Sequence, residues 1–250
     1  MTGRDGQAVS QQVRLAVRLA AGAAIAGALS VPFVGLLLLV EGRNERLEAL
    51  DLGVAADLHG WALEHPAVVR LLLFLQDALN PNVFRALVLV AAVVLWRSGA
   101  RRLAVWAVVT TAAGALLGVV LKLLVARARP SFPDPVAVVG QYSFPSGHAL
   151  GSFLGAGVLL VIALPVLRRR GRVVAWTAAV AVVLLVGFDR IALGVHYVSD
   201  VLAGWAAAGA VLAGTATAFG TWRGMRHRPG GLDPAGSRRL ARTVSQQPDP

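Results

Sequence analysis

Long apolar runs alternate with short polar stretches along most of the chain. An α-helix needs about 20 mostly apolar residues to cross the hydrocarbon core of a bilayer, and most of the runs approach or exceed that length. The pattern therefore predicts an all-α, polytopic membrane protein with six transmembrane helices. The predicted spans are Leu19–Val40, Val83–Trp96, Leu103–Val125, Ala149–Leu167, Val173–Gly187 and Val198–Phe219.

The composition supports a membrane protein, since 56% of the 250 residues are hydrophobic and only 15% are charged. A signal-peptide core is about 7–15 residues long, so the first run is interpreted as a retained span. The mixed stretch between spans one and two, Glu41–Asp77, predicts extracytoplasmic amphipathic helices along the membrane surface. We assign 1–18 to a cytoplasmic N-terminal segment, 19–220 to one six-span domain and 221–250 to a disordered, basic cytoplasmic tail.

Arginines are concentrated at one side of the predicted spans, which the positive-inside rule makes cytoplasmic. Both termini are then cytoplasmic, and the arginine- and alanine-rich composition favours a bacterial plasma membrane. The net charge of +11 does not form a basic helix or an aromatic-studded groove, so no nucleic-acid partner is predicted. The arginines on this side are Arg14, Arg18, Arg97, Arg101, Arg102, Arg168, Arg169, Arg170, Arg172, Arg223, Arg226 and Arg228.

Two cations at the opposite end of the third span run against this charge rule. Lys122 is the only lysine of the chain, and Arg129 follows seven positions later, directly before Pro130. Seven positions are about two helical turns, so both side chains are predicted to share one face of a helix that ends at Arg129. An arginine fork and a lysine point charge together suit a phosphate group.

The sequence Pro145-Ser146-Gly147-His148 directly precedes the fourth span. Ser146 is predicted to cap that helix, and Gly147 lets the backbone approach an anion attracted by the free amides of the helix start. His148 falls in the first turn, within reach of the same anion. On these residues alone, a plain helix cap with a histidine at the membrane interface explains the motif equally well.

His196 and Asp200 are four positions apart at the start of the sixth span. This spacing lets the carboxylate hold one ring nitrogen and leave the other free as a nucleophile or base. Arg190 is predicted in the turn between spans five and six, close enough to reach the same phosphate. A satisfied polar pair is the alternative, but ionisable residues at the mouth of a membrane helix are functional candidates by default.

The order and spacing of the three clusters, from Lys122 to Asp200, resemble the three-part signature of the type-2 phosphatidic acid phosphatase (lipid phosphate phosphatase) superfamily, integral-membrane branch. The resemblance implies a phosphatase that needs no metal or cofactor and works through a phosphohistidine. It makes His196 the nucleophile, Asp200 its orienting partner and His148 the acid for the leaving oxygen. The residues implied to hold the phosphoryl oxygens are Lys122, Arg129, Ser146, Gly147 and Arg190.

One position departs from the family pattern, which usually has serine immediately before the third-motif arginine. This chain has Asp189 there. A carboxylate facing the pocket would repel phosphate, so Asp189 is expected either to turn away from the pocket or to brace Arg190.

The resemblance implies hydrolysis of a lipid phosphate or diphosphate, and the arginine bias places the three clusters at the outer membrane face. Undecaprenyl diphosphate, phosphatidate and phosphatidylglycerophosphate all fit, and the sequence selects neither among them nor an oligomeric state. The alternatives are a lipid phosphotransferase with an alcohol acceptor and a catalytically silent lipid-binding or transport protein. A zinc or magnesium hydrolase is disfavoured because the site histidines lie 48 residues apart without a carboxylate cluster. Vanadium-dependent haloperoxidases share the signature but are largely soluble.

Overall fold

The computed structural model describes residues 3–140 and 142–226, and these residues form eight α-helices and no strand. The all-α prediction is therefore confirmed for this part of the chain. In chain order the helices are α1 (Gly3–Glu41), α2 (Glu45–Glu64), α3 (Pro66–Ala78), α4 (Pro81–Arg97), α5 (Arg101–Val125), α6 (Gly147–Ala163), α7 (Arg169–Ala192) and α8 (Val198–Arg226).

The chain is a multi-pass membrane protein with five described stretches long and apolar enough to cross a bilayer. The helix α6 is apolar but has only 17 residues, so the count of six spans remains a prediction. So does the position of α2 and α3 along the membrane surface. The five stretches are Ala23–Glu41, Pro66–Arg97, Arg101–Val125, Arg169–Ala192 and Val198–Gly220.

Several predicted boundaries are wrong, for identifiable reasons. The fourth helix ends at Ala163 rather than Leu167, because Pro165 has no backbone N–H with which to continue the helical hydrogen bonds. The fifth helix continues past Gly187 to Ala192, since Asp189 and Arg190 pair with each other and can both lie in its last turn. The first helix begins at Gly3 and the last ends at Arg226, so both extend into the segments assigned as tails. Residues 227–250 lie outside the described part of the chain.

Local sequence signals explain where the helices α2, α3 and α4 start. Asn44 and Asn80 precede α2 and α4, and their side chains accept hydrogen bonds from Leu47 N and Asn82 N, respectively. Proline occupies the first position of α3 and of α4, where a missing N–H costs nothing. The break at Asn80 separates α3 from α4 within one apolar stretch.

The helix α6 is the centre of the bundle, and it packs against α4, α5, α7 and α8. The helix α1 lies along α8. Buried side chains such as Leu150 and Leu154 of α6 pack with Ala207 and Ala208 of α8. The start of α6, where the histidine motif lies, is therefore enclosed by helices on several sides.

The contact between α6 and α8 is closest at Gly204. A Cβ atom placed there would lie 2.8 Å from the carbonyl oxygen of Ser146 and 3.1 Å from the backbone nitrogen of Leu150. These are backbone atoms that cannot turn aside, so only glycine permits this approach. The backbone N–H of Ser146 also donates to the carbonyl oxygen of Asp200 over 2.9 Å. The first turns of the two helices are thus fixed to each other.

Candidate active site

The three polar clusters meet at one end of the helix bundle. The end of α5, the start of α6, the end of α7 and the start of α8 all lie there, whereas the turns 98–100 and 164–168, which have arginines at their borders, connect the opposite ends. A cavity of about 340 Å³ lies between the clusters. It is lined by Lys122, Arg129, Val139, Gly140, Gly147, His148, Arg190 and His196.

Lys122 and Arg129 both reach the cavity, but the backbone conformation between them differs from the predicted helix. The helix α5 ends at Val125, and Ala126 adopts the left-handed conformation with φ 48°. Arg129 therefore lies in the irregular segment after α5 and not on the face of Lys122, so the prediction of a helix to Arg129 is wrong. The two side chains still converge, because Lys122 Nζ and Arg129 Nη2 donate to the same carbonyl oxygen, that of Tyr142, over 2.6 and 3.2 Å.

Ser146 caps α6 as predicted, because its hydroxyl oxygen accepts a hydrogen bond from Ala149 N over 3.4 Å. Its side chain is buried and is absent from the cavity lining, so its contact with a phosphate stays a prediction. Gly147 does line the cavity, and a Cβ atom on it would lie 3.8 Å from Lys122 Cε. The lysine thus lies directly over the helix start that is expected to attract an anion.

His196 lies in the turn just before α8, and Asp200 lies in the first turn of that helix. His196 Nδ1 is 3.4 Å from Asp200 Oδ2, and Nε2 is 3.0 Å from Arg129 Nη1. A carboxylate only accepts hydrogen bonds and a guanidinium only donates them. The partners therefore place the proton on Nδ1 and leave the lone pair of Nε2 towards the cavity and Arg129.

Burial lowers the pKa of His196 to about 4, although Asp200 opposes this shift. Arg129 and Lys122 lower the pKa of His196 further, because positive charges disfavour the imidazolium form. The imidazole is consequently neutral near pH 7, which is the form in which a ring nitrogen can act as a nucleophile.

Arg190 belongs to the last turn of α7, and not to the turn after it as we predicted. Its side chain is 1% exposed and Asp189 is 2% exposed. Asp189 Oδ2 accepts hydrogen bonds from Nε of Arg190, over 2.9 Å, and from Nη2. Of the two expectations for Asp189, the structure shows the second, in which the carboxylate braces Arg190. The carbonyl oxygen of Arg190 also accepts from the backbone N–H of His196 over 3.2 Å.

His148, in the first turn of α6, lines the same cavity as His196. Its Nε2 atom is buried and has no hydrogen-bond partner among the described residues. His148 thus lies at the start of α6 and His196 lies just before the start of α8. The backbone hydrogen bond from Ser146 to Asp200 connects these two helix starts. A bound phosphate would have a histidine from each helix within the same cavity.

The sequence reasoning missed two residues behind the cavity, Asp51 and Arg127. Arg127 donates hydrogen bonds to Asp51 Oδ2 over 2.9 Å and to Asp200 Oδ1 over 2.8 Å. Both residues line a second, larger cavity of about 630 Å³, and neither lines the cavity between the histidines. The sequence carries no local signal for either residue, because residues two positions apart in an extended segment, such as Arg127 and Arg129, are expected on the same side, and Asp51 lies 76 positions from Arg127.

No three histidine, aspartate or glutamate side chains come together as potential metal ligands in the part of the chain that the structure describes.

Residues 103–224 match the family model of the PAP2 superfamily. Phosphatidylglycerophosphatase B of Bacillus subtilis (strain 168) is 41% identical over 93 residues, which are 36% of this chain and 45% of that protein. An undecaprenyl-diphosphatase of Sulfolobus acidocaldarius is 31% identical over 121 residues, which are 46% of this chain and 55% of that protein. The matched parts thus span about half the length of these curated relatives.

The fold is also that of a solved membrane protein. The crystal structure of the first transmembrane PAP2 type phosphatidylglycerolphosphate phosphatase, from Bacillus subtilis, superposes with a TM-score of 0.69 at 21% identity. The superposition covers 82% of this chain and 99% of that one. The ordered motifs and the shared fold agree with the match of residues 103–224, just under half of the chain, to the PAP2 superfamily.

Proposed function

We propose that this protein is a membrane phosphatase that hydrolyses a lipid phosphate or diphosphate through a phosphohistidine, at the outer face of the plasma membrane. The observation that carries the proposal is the neutral His196, whose Nε2 faces a cavity bordered by Lys122, Arg129 and Arg190. Three cations around an uncharged nucleophile form an arrangement that binds a phosphoryl group and allows attack on it.

The proposed reaction has two steps, transfer of the phosphoryl group to His196 and its hydrolysis by water. His196 Nε2 forms a bond to phosphorus while the bond from phosphorus to the lipid oxygen breaks, and His148, in its imidazolium form, donates a proton to that oxygen. Burial and Arg190 lower the pKa of His148 to about 3, so the bound phosphate must supply the negative charge that keeps this ring protonated. The imidazole of His196 gains positive charge, which the carboxylate of Asp200 stabilises through Nδ1–H. In the second step His148 takes a proton from water, the water oxygen attacks phosphorus, and inorganic phosphate leaves His196 with its lone pair restored.

The cations bind the equatorial oxygens of the phosphoryl group and neutralise their charge in both steps. Lys122 and Arg129 share the carbonyl oxygen of Tyr142, so they enter from one side of the cavity. Arg190 enters from the end of α7, and its own charge is partly balanced by Asp189. None of these residue roles requires a metal ion, and we therefore propose a metal-independent reaction.

A lipid substrate is supported by the apolar surface beside the cations. Lys122 is followed by Leu123 and Leu124, which are 68% and 74% exposed, and Val139 lines the cavity itself. A lipid whose phosphate lies at headgroup level and whose tail lies in the hydrocarbon fits this apolar surface. The relatives' names point to phosphatidylglycerophosphate and undecaprenyl diphosphate as the first substrates to test, with phosphatidate beside them.

The activity is tested by phosphate release from these three lipids in detergent with EDTA present. We expect release from at least one of them, undiminished by EDTA and absent in His196→Ala. Loss of activity with EDTA would contradict the metal-independent reaction. Phosphorylated alcohol formed in place of free phosphate on addition of an alcohol would identify a phosphotransferase, and no turnover of any lipid would favour a silent binding protein.

The membrane face is tested with two matched serine-to-cysteine variants, because the chain contains no cysteine. Ser131 is exposed in the segment after α5 at the site end, and Ser98 is exposed in the turn between α4 and α5 at the other end. In right-side-out spheroplasts, a membrane-impermeant maleimide is expected to label Ser131→Cys at once and Ser98→Cys only after lysis. The reverse pattern would place the site on the cytoplasmic face.

A further inference from the structure

A chain of buried charged residues connects α2 to the candidate nucleophile. It begins at Asp51 in α2, continues through Arg127 after α5 and Asp200 in α8, and ends at His196. Asp51 and Asp200 are both 0% exposed. The partners are distant in sequence, which shows that the helix α2 contributes to this end of the bundle through a specific contact.

Both oxygens of the Asp51 carboxylate accept hydrogen bonds. Its Oδ1 accepts from the backbone N–H of Ser199 over 3.0 Å, and its Oδ2 accepts from the Ser199 hydroxyl and from Arg127 Nη2. Ser199 lies in the first turn of α8, where unpaired N–H groups and the helix dipole favour a negative charge. Asp51 therefore holds the start of α8 and one arm of Arg127 at the same time.

Arg127 is fixed on three sides. One arm of its guanidinium, Nη2, binds Asp51, and the other, Nη1, binds Asp200 Oδ1 over 2.8 Å and the Ser199 hydroxyl over 2.7 Å. Its face lies over the ring of Tyr197, with 4.2 Å between the guanidinium carbon and the ring centroid. Two carboxylates and an aromatic ring thus determine both the position and the plane of the guanidinium.

The two oxygens of Asp200 consequently have separate tasks. Oδ1 is held by Arg127, and Oδ2 accepts from Tyr197 N over 2.9 Å and faces His196 Nδ1 at 3.4 Å. A carboxylate held at both oxygens cannot rotate away from the imidazole. The orientation of His196 Nε2 in the cavity therefore depends on atoms that lie outside the cavity.

We propose that Asp51 and Arg127 are positioning residues, which orient Asp200 and through it His196 for attack on the phosphoryl group. This inference rests on the proposed phosphatase function. Neither residue lines the cavity between the histidines, so neither is expected to touch the substrate. Outer partners of this kind usually contribute about 10–100-fold to the function of the group that they orient.

The test compares kcat, KM and the affinity for inorganic phosphate in Asp51→Asn, Arg127→Gln and Arg127→Lys. We expect kcat per phosphate-binding site to fall about 10–100-fold in each. KM and phosphate affinity should stay within about threefold, because Lys122 and Arg190 are intact. The lysine variant keeps the charge but lacks the fork that joins two carboxylates. The matched control is Glu48→Gln, an exposed acid on the same helix, with wild-type kcat expected.

The double variant Asp51→Asn/Arg127→Gln adds a second readout that misfolding would not mimic. If Asp51 acts through Arg127, the double variant loses no more kcat than the more impaired single variant, whereas independent effects multiply. Counting kcat per phosphate-binding site removes any unfolded fraction from the comparison.

Wild-type kcat in Asp51→Asn and Arg127→Gln would overturn the inference, and so would full activity of Arg127→Lys, since charge alone would then suffice. Multiplying effects in the double variant would overturn the route from Asp51 through Arg127. These outcomes leave the phosphatase proposal intact as long as His196→Ala is inactive. Activity in His196→Ala would instead refute the proposed function itself.

Discussion

Replacement of His196 by alanine is expected to lower kcat for phosphate release by at least about 1,000-fold, because removal of a covalent nucleophile costs far more than removal of a binding contact. Its Nε2 is the uncharged ring atom that faces the three cations, and Asp200 holds its other nitrogen. The measurement is the initial rate of phosphate release in detergent micelles at saturating lipid, with EDTA present.

His65→Ala is the matched control, since His65 is exposed between α2 and α3 and its Nδ1 contacts only its own segment, at Trp61 O over 2.7 Å. We expect it to retain wild-type kcat within about twofold, as is usual for surface changes away from a site. Acid-labile labelled phosphate should be trapped on the wild-type protein during turnover and be absent from His196→Ala. A His196→Ala variant with more than a tenth of wild-type kcat would refute the phosphohistidine.

Replacement of Asp189 by alanine is expected to lower the free energy of unfolding by about 3–5 kcal/mol, since it leaves the buried guanidinium of Arg190 without its carboxylate. Asp189 and Arg190 are almost completely buried, so water replaces the lost carboxylate poorly. The measurement is a denaturation curve of the purified protein in mixed micelles. Phosphate release should fall as well, because Arg190 loses the contact that fixes it beside the cavity.

Two further variants sharpen this prediction. Asp134→Ala removes an exposed aspartate and should change the unfolding free energy by no more than about 0.5 kcal/mol. Asp189→Ala combined with Arg190→Met removes both charges, and we expect it to be more stable than Asp189→Ala alone, since no unpaired charge remains. Equal destabilisation in Asp189→Ala and Asp134→Ala would contradict the bracing role.

The sequence was sufficient to predict the helical membrane fold and to identify six of the residues that line the cavity. Apolar runs are a local property, and so are the helix-start signals at Ser146 and Gly147. The prediction failed at Arg129, because the helix ends four residues earlier than Pro130 suggests. Arg127 and Arg129 leave the helix to bind Asp200, Asp51 and the carbonyl oxygen of Val195, and such distant partners cannot be read from local propensity.

Asp51 is another residue whose contacts could not be predicted from the sequence. In the sequence it is one of several acidic residues in an amphipathic stretch, and Glu45 and Glu48 precede it at three-residue intervals. Only the folded chain distinguishes it, because its partner Arg127 lies 76 positions away. The predicted turn at Arg190 fails for a similar reason, because its pairing with Asp189 allows both charges to lie within the last turn of α7.

The close approach at Gly204 has a consequence for which parts of this protein can change in evolution. With the starts of α6 and α8 joined by the Ser146–Asp200 backbone hydrogen bond, the two histidines belong to one preassembled unit whose ordering cost is met when the chain folds. A substitution at this contact would disturb the starts of α6 and α8 at the same time. The irregular segment 130–140, which supplies Val139 and Gly140 to the cavity wall, takes no part in this contact. We therefore expect preference for one lipid over another to reside in that segment, while the chemistry beneath it stays constant.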